Sequence, residues 1–226
     1  MTRGLDRDRF LLCFVHDAGD ARPPVKLWEA DDHAWSLVDL VQVRGKRLAA
    51  GDLEELTRGW VTRLAGLPGR VIVNDRLDVA LAAGAHGVHL GRDDLPLQNA
   101  RVLAPDGFVI GGSSHDRSEL LAVQAAGADY AGLGAFSVSS TKPDAKPLDP
   151  VAAGVAGAVA GLEIPVLAIG GIDPATGARA LEVPAVTGVA ASRAIQTAGD
   201  PGAAILALYD ALRAAWKAVR QPVSPT

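Results

Sequence analysis

The sequence predicts an α/β protein whose parallel strands close into a (β/α)8, or TIM, barrel. Three observations point there. Eight short apolar runs, rich in β-branched residues, recur along the 226-residue chain. Segments of helical periodicity lie between most of them, and such alternation marks parallel strands joined by crossover helices. The length also fits, because these barrels run to about 250 residues as one unit. The expected organisation is a single domain over 1–226 with a loose tail at 221–226, where two prolines stand. A doubly wound open sheet is the competing architecture. It calls for a glycine-rich turn after the first strand, whereas here that strand ends Phe14-Val15-His16-Asp17.

The first run is Leu11–Val15. Behind it, Ala18 to Ser36 is broken by Pro23-Pro24 and has room only for a short helix over Trp28–Trp35. The first βα unit therefore reads as abbreviated. The second run, Val38–Val43, precedes Leu53, Leu56, Trp60, Val61 and Leu64, which share one face of a helix. The third and fourth runs are Val71–Val73 and Gly87–Leu90. The fifth is Phe108–Gly111, followed by a shorter stripe of Leu121, Ala122, Ala125 and Ala126. After the sixth, Tyr130–Leu133, the segment Gly134–Pro150 has no period; a loop of that length is usually functional. The seventh and eighth runs are Val166–Ile169 and Gly188–Ala190. Ile205, Leu208, Leu212 and Trp216 mark the last helix.

Composition narrows the function. Lys and Arg total 22 against 26 Asp and Glu, a formal net charge of −4, which argues against a nucleic-acid surface. The one cysteine, Cys13, allows neither an intrachain disulfide nor a multi-cysteine metal site. No window reaches the ~20 apolar residues of a membrane span, and no signal-peptide stretch follows the charged N-terminus. The expectation is a cytoplasmic protein that acts on small molecules, without nucleic acid or membrane as partner. A homodimer stays open.

In a barrel the C-terminal strand ends build the site, so the residues there are the candidates. After the second strand, period two sends Gln42, Arg44 and Lys46 to one side. One amide and two cations can cradle a polyanion such as pyrophosphate; a solvated strand end is the plainer reading. Asn74-Asp75 and Asp93-Asp94 follow the third and fourth strands. Two carboxylates from neighbouring strands suit Mg²⁺, which takes one or two of them plus phosphate oxygens and water. Helix capping would explain Asp75 and Asp94 as well. Gly111-Gly112-Ser113-Ser114-His115 follows the fifth strand. Its glycines would let a ligand approach the backbone, its serines could donate or cap, and His115 could serve as acid or base or be a hydrogen-bonded surface group. Gly170-Gly171 and Ser192-Arg193 follow strands seven and eight, where barrels often bind phosphate through backbone N–H groups. Tight turns that need glycine are the alternative. A phosphate cup, a cationic strand end and two metal carboxylates are what two anionic substrates joined with Mg²⁺ would require.

In their order along the chain, from about Leu40 to Pro201, these residues resemble the thiamine phosphate synthase family. The resemblance rests on Gln42-Val-Arg44-Gly-Lys46, Asn74-Asp75-Arg76, Gly87-Val-His-Leu-Gly91, Asp94 and Gly111-Gly-Ser113. It continues in Asp129-Tyr130, Thr141-Lys142-Pro143, Ala168-Ile-Gly170-Gly171-Ile172 and Gly188-Val189-Ala190. It implies a transferase of thiamine biosynthesis that joins a hydroxymethylpyrimidine pyrophosphate to a thiazole phosphate. Pyrophosphate leaves first, and the thiazole nitrogen captures the pyrimidine carbocation. Gln42, Arg44, Lys46, Asn74 and Lys142 would hold the pyrophosphate, and Asp75 and Asp94 would hold Mg²⁺. Ser113 would sit near the reacting pyrimidine, Ser139 and Thr141 on the mobile loop, and Gly171, with Ser192 or Arg193, at the thiazole phosphate. Ser113, Lys142 and His115 are the catalytic candidates.

The chain departs from the family at Arg92, usually Gln, at Ala135, often Pro, at Ser139, often Thr, and at Arg193, commonly Ser. A sister group, the TenI-like thiazole tautomerases, shares the fold and the thiazole phosphate cup. Its acid/base histidine is expected where Ala135 stands, so His115 would have to substitute. Asp94 together with Arg44, Lys46 and Lys142 favours the synthase. A non-catalytic barrel that binds a phosphorylated ligand is the third reading.

Overall fold

A computed structural model of the chain describes residues 5–19, 25–137 and 147–220. Eight strands form a closed parallel barrel in sequence order: β1 (Leu11–Asp17), β2 (Leu40–Arg44), β3 (Arg70–Asn74), β4 (Gly87–Leu90), β5 (Val109–Ser114), β6 (Tyr130–Gly134), β7 (Val166–Ile169) and β8 (Gly188–Ala191). Closure is made by β8 against β1, with Leu12 beside Val189 and Cys13 beside Ala190. Each apolar run of the sequence becomes a strand, and the expected architecture is the one observed.

Alternation along the strands divides the apolar residues into two cores. Leu11, Cys13, Val15, Leu40, Ile72, Val109, Tyr130, Leu167 and Ala190 fill the barrel. Burial and the nearby Asp39 push the Cys13 thiol up to about 12, so it stays an inert apolar filler. The other phase, with Leu12, Phe14, Val41, Val43, Val71 and Val73 in it, faces the helices and forms the larger outer core.

The helices are α1 (Val25–Glu29), α2 (Asp32–Ser36), α3 (Ala50–Arg63), α4 (Leu77–Ala82), α5 (Leu97–Leu103), α6 (Arg117–Ala125), α7 (Pro174–Ala180), α8 (Arg193–Gln196) and α9 (Pro201–Arg220). Among its described residues the first crossover carries two short helices rather than one over Trp28–Trp35. Asp31 caps α2 by accepting from the Ala34 N–H at 2.8 Å, which ends α1 before it. Arg63 of α3 then satisfies the break, donating to the carbonyls of Trp28 and Ala30 and pairing with Asp32. Leu27 and Trp35 are fully buried, so this short unit still seals its side of the barrel.

The crossover from β6 to β7 holds no helix among its described residues, 147–165. Val155, Val159 and Leu162 cover the wall there as single inserted side chains. Gln124 of α6 ties their backbone down, donating to Gly161 O and accepting from the N–H groups of Glu163 and Ile164. The expected loose tail, 221–226, lies outside the described residues.

Candidate active site

The inner core is apolar toward the N-terminal strand ends and polar toward the C-terminal ends. Register places Val15 beside Gln42, Asp17 beside Arg44 and Asn74 beside His89. Gln42 Nε2 donates to Asn74 Oδ1 at 2.7 Å, and both side chains are buried. Arg44 Nη1 donates to Asp17 Oδ2 at 2.5 Å. Lys46 Nζ stands 3.7 Å from Asp75 Oδ2.

Asp75 and Asp94 meet across the ends of β3 and β4. Burial, then a hydrogen bond from the protonated Asp75 to Asp94 and the Asp94 charge, push the Asp75 carboxyl above the usual range, while Lys46 and Arg44 pull it back. Asp75 holds φ at +66°, the left-handed region that non-glycine residues rarely adopt. Its N–H donates to His89 O at 2.8 Å, so the β3 ladder fixes that conformation. Asp94 accepts from the Gly91 N–H at 2.6 Å. Capping does not explain either residue. The residue at the cap of α4 is Arg76 and at that of α5 is Pro96, and neither helix has a side-chain capping bond.

A second inward set follows β4, β5 and β6. His89 Nε2 lies 3.0 Å from Ser113 Oγ and its Nδ1 lies 3.1 Å from the Tyr130 hydroxyl. Burial lowers the His89 pKa to about 4, so the imidazole is neutral at physiological pH. The sequence pattern assigns His89 no role. Its inward phase on β4, one step before the strand end, was the available signal. The glycines beside Ser113 serve packing rather than ligand approach. A Cβ on Gly111 would stand 2.2 Å from the Tyr130 ring and 2.6 Å from His89 Nδ1. One on Gly112 would meet Val123 of α6 at 2.7 Å. The cap of α6 is Asp116, not a serine, while the buried Ser114 hydroxyl donates to Gly132 O at 2.8 Å.

Opposite the acidic pair lie the ends of β7 and β8. Gly170 and Gly171 hold φ at +104° and +64°, a double left-handed turn open to glycine. Ser192 stands at the start of α8 and makes no side-chain capping bond, and Arg193 beside it is exposed. The loop leaving β6 pairs with this turn, Phe136 N–H to Ile169 O at 2.7 Å and Ser137 N–H to Gly170 O at 2.9 Å. Ser139, Thr141 and Lys142 lie outside the described residues.

Gln42, Arg44, Asp75, Asp94, Ser113 and Gly171 thus line one cleft of about 1280 Å³, with Lys46, Asn74, Ser192 and Arg193 also on its wall. His115 lines it too, but at the outer rim. It is 56% exposed, with Nδ1 2.8 Å from Glu119 Oε2, and the other Glu119 oxygen takes Arg92. The structure therefore does not bring His115 together with His89 and Ser113.

Comparison with known proteins agrees with this layout. Residues 12–195 match the family described as thiamine monophosphate synthase. The thiamine-phosphate synthase of Methanoculleus marisnigri is 41% identical over 179 residues, 78% of this chain and 83% of that protein. The thiamine biosynthesis bifunctional protein ThiM/ThiE of Symbiobacterium thermophilum is 42% identical over 186 residues, 78% of this chain but 36% of that longer protein. Among solved structures, the thiamine phosphate pyrophosphorylase of Pyrococcus furiosus superposes with a TM-score of 0.74 at 29% identity, covering 92% of this chain and 98% of that one.

Proposed function

The chain belongs to the thiamine monophosphate synthase family, and from that premise we propose the chemistry of its barrel mouth. It works as a thiamine-phosphate synthase, a transferase on small phosphorylated substrates. In this reading it joins hydroxymethylpyrimidine pyrophosphate to thiazole phosphate and releases pyrophosphate. The observation that carries the reading is the Asp75–Asp94 pair with Lys46 and Arg44 beside it, facing the Gly170–Gly171 turn across one cleft.

Two phosphate-bearing groups fit such a mouth. Arg44 and Lys46 neutralise the pyrophosphate as it leaves, which lowers the barrier because charge builds on that group in the transition state. Gln42 and Asn74, locked to one another, orient it. Ser113, its hydroxyl held against a neutral His89, sits toward the pyrimidine. Backbone N–H groups at Gly171 and at the start of α8 take the thiazole phosphate, with Ser192 and Arg193 beside them. The family resemblance adds Lys142, Ser139 and Thr141, which lie outside the described residues. The pyrimidine carbocation formed on departure is then captured by the thiazole nitrogen, and no protein nucleophile takes part.

Mg²⁺ belongs to the proposal. Its holders would be Asp75 and Asp94, and when bound it supplies further positive charge to the departing pyrophosphate. The residues fit. Two carboxylates within hydrogen-bonding reach, one pushed toward its protonated form, are an arrangement that a cation relieves. Among the described residues no third acidic or histidine ligand joins them, which suits an ion that completes its shell with substrate oxygens and water.

The catalytic roles of these residues, and the protein's place in the cytoplasm, are part of this reading. Among the described residues no helix is long and apolar enough to cross a membrane. The test is direct: purified protein, both substrates and Mg²⁺, with thiamine phosphate measured at the endpoint. Product that disappears on chelation is expected. Folded protein that makes none would overturn the assignment and send attention to proton exchange on thiazole phosphate, the tautomerase reaction.

A further inference from the structure

Arg44 does not reach the cleft unsupported, and its support comes from the other substrate's side of the barrel. Its Nη1 is 2.5 Å from Asp17 Oδ2, and the two side chains are only 20% and 22% exposed. The β1–β2 register sets the residues directly opposite, and the Ala18 N–H donates to Arg44 O at 2.8 Å. Asp17 is itself gripped. Gln196 Oε1 accepts from the Asp17 N–H at 3.0 Å, and Gln196 Nε2 donates to Asp17 O at 2.8 Å. Gln196 is the last residue of α8, the short helix whose start carries Ser192 and Arg193. One amide thus replaces a strand partner, closing both backbone groups of Asp17 where the β1–β8 ladder has already ended at Phe14–Ala191.

We propose that Asp17 and Gln196 are positioning residues for the reaction assigned above: Gln196 fixes the end of β1, and Asp17 there aims the Arg44 guanidinium at the pyrophosphate. The chain of contacts α8–Gln196–Asp17–Arg44 joins the two phosphate-holding ends of the mouth. A guanidinium has five N–H donors in a rigid fork, so one can be spent on Asp17 while the rest stay directed at the ligand. A free arginine would lose rotamer entropy on binding, and one already held loses less. The opposing effect is Coulombic, since Asp17 cancels part of the charge that attracts an anion. At two partly buried groups in contact, orientation is expected to outweigh it.

This inference rests on Arg44 being a pyrophosphate ligand, and the experiment separates the two. Inorganic pyrophosphate with Mg²⁺ is titrated calorimetrically into wild type, Arg44→Ala, Asp17→Asn, Asp17→Glu, Gln196→Leu and the Asp17→Asn/Arg44→Ala double variant, each checked by its thermal melt. Arg44→Ala should weaken binding about tenfold or more. Asp17→Asn, which keeps the shape, should weaken it about three- to tenfold and Gln196→Leu by a few-fold. Asp17→Glu should recover part of the loss. The double variant should be no weaker than Arg44→Ala alone, because Asp17 acts through Arg44. In turnover, Asp17→Asn should raise the KM for the pyrimidine pyrophosphate and leave that for thiazole phosphate unchanged. A well-folded Asp17→Asn protein with unchanged or tighter pyrophosphate binding overturns the positioning role. An Arg44→Ala protein that binds as tightly as wild type overturns the underlying reading instead.

Discussion

In the proposed reading, the β2–β4 side of the mouth and the β7–β8 side take their anions in different ways. On the first side, charge is carried by side chains: Arg44, Lys46, Asp75 and Asp94, each set by its strand end. On the second, the proposed recognition falls to backbone N–H groups, presented by a turn with two left-handed glycines and by the start of a four-residue helix. A side-chain site can be altered by changing charge while shape is kept. A backbone site can be altered only by forcing the chain out of its turn. The two halves should therefore fail differently.

The largest effect is expected at the acidic pair. Asp94→Asn should lower kcat for thiamine phosphate formation by about a hundredfold or more, since metal binding and charge balance at the leaving group both go. The same change should raise the melting temperature of the metal-free protein, because it removes a carboxylate that Asp75 opposes. Loss of activity together with loss of stability would show the pair to be structural.

Next comes the opposite wall. Gly171→Val places a β-branched residue at φ +64°, at a cost of about 1–2 kcal/mol in backbone strain. The KM for thiazole phosphate should rise about tenfold or more while the KM for the pyrimidine substrate holds. Steady-state kinetics with each substrate varied in turn would check this, and an equal rise in both would erase the distinction between the sides.

Between the two walls, Gly111→Ala tests the floor of the site. Its Cβ would stand 2.2 Å from the buried Tyr130 ring, so the His89–Tyr130 contact must give way at a cost of about 1–3 kcal/mol. Urea unfolding should show that loss, with turnover falling because Ser113 loses its fixed partner.

The last expectation, the one with least bearing on turnover, is the pH dependence of stability. Burial lowers both His89 and His16 to about 4 from an ordinary 6.5. His16 is held neutral on the outer face of β1, its Nδ1 accepting from Trp60 Nε1 at 2.8 Å. A histidine depressed on folding binds its proton better when unfolded, so stability falls as pH drops from about 6.5 toward 4. Each should contribute at most about 3 kcal/mol over that window. Melts at stepped pH would measure the slope, and His89→Gln should flatten it in part without touching the contribution of His16.

The same contrast explains what was legible. The eight strands were readable because parallel barrel strands are buried on both faces and stand out as apolar runs. That Gln42, Arg44 and Lys46 line the cleft was readable too, since period two alone projects them to one side. What failed was local. Asp75, Asp94, Ser113 and Ser114 all stand near helix starts, so capping looked as good as function until Arg76, Pro96 and Asp116 proved to occupy the caps. The glycines at 111 and 112 looked like ligand contacts because a sequence does not show that Tyr130, nineteen residues on, fills the space.

The sequence by itself determined the barrel, the order of its strands and which strand ends carry charge or paired glycines. Those are properties of local pattern: alternation, apolar runs and residue type. Only the tertiary structure decided which groups meet. The Asp75–Asp94 pair, the Tyr130–His89–Ser113 chain and the Gln196–Asp17–Arg44 tie each join residues from different strands or helices. Such contacts depend on barrel closure and register, and these are fixed by the packing of the whole chain.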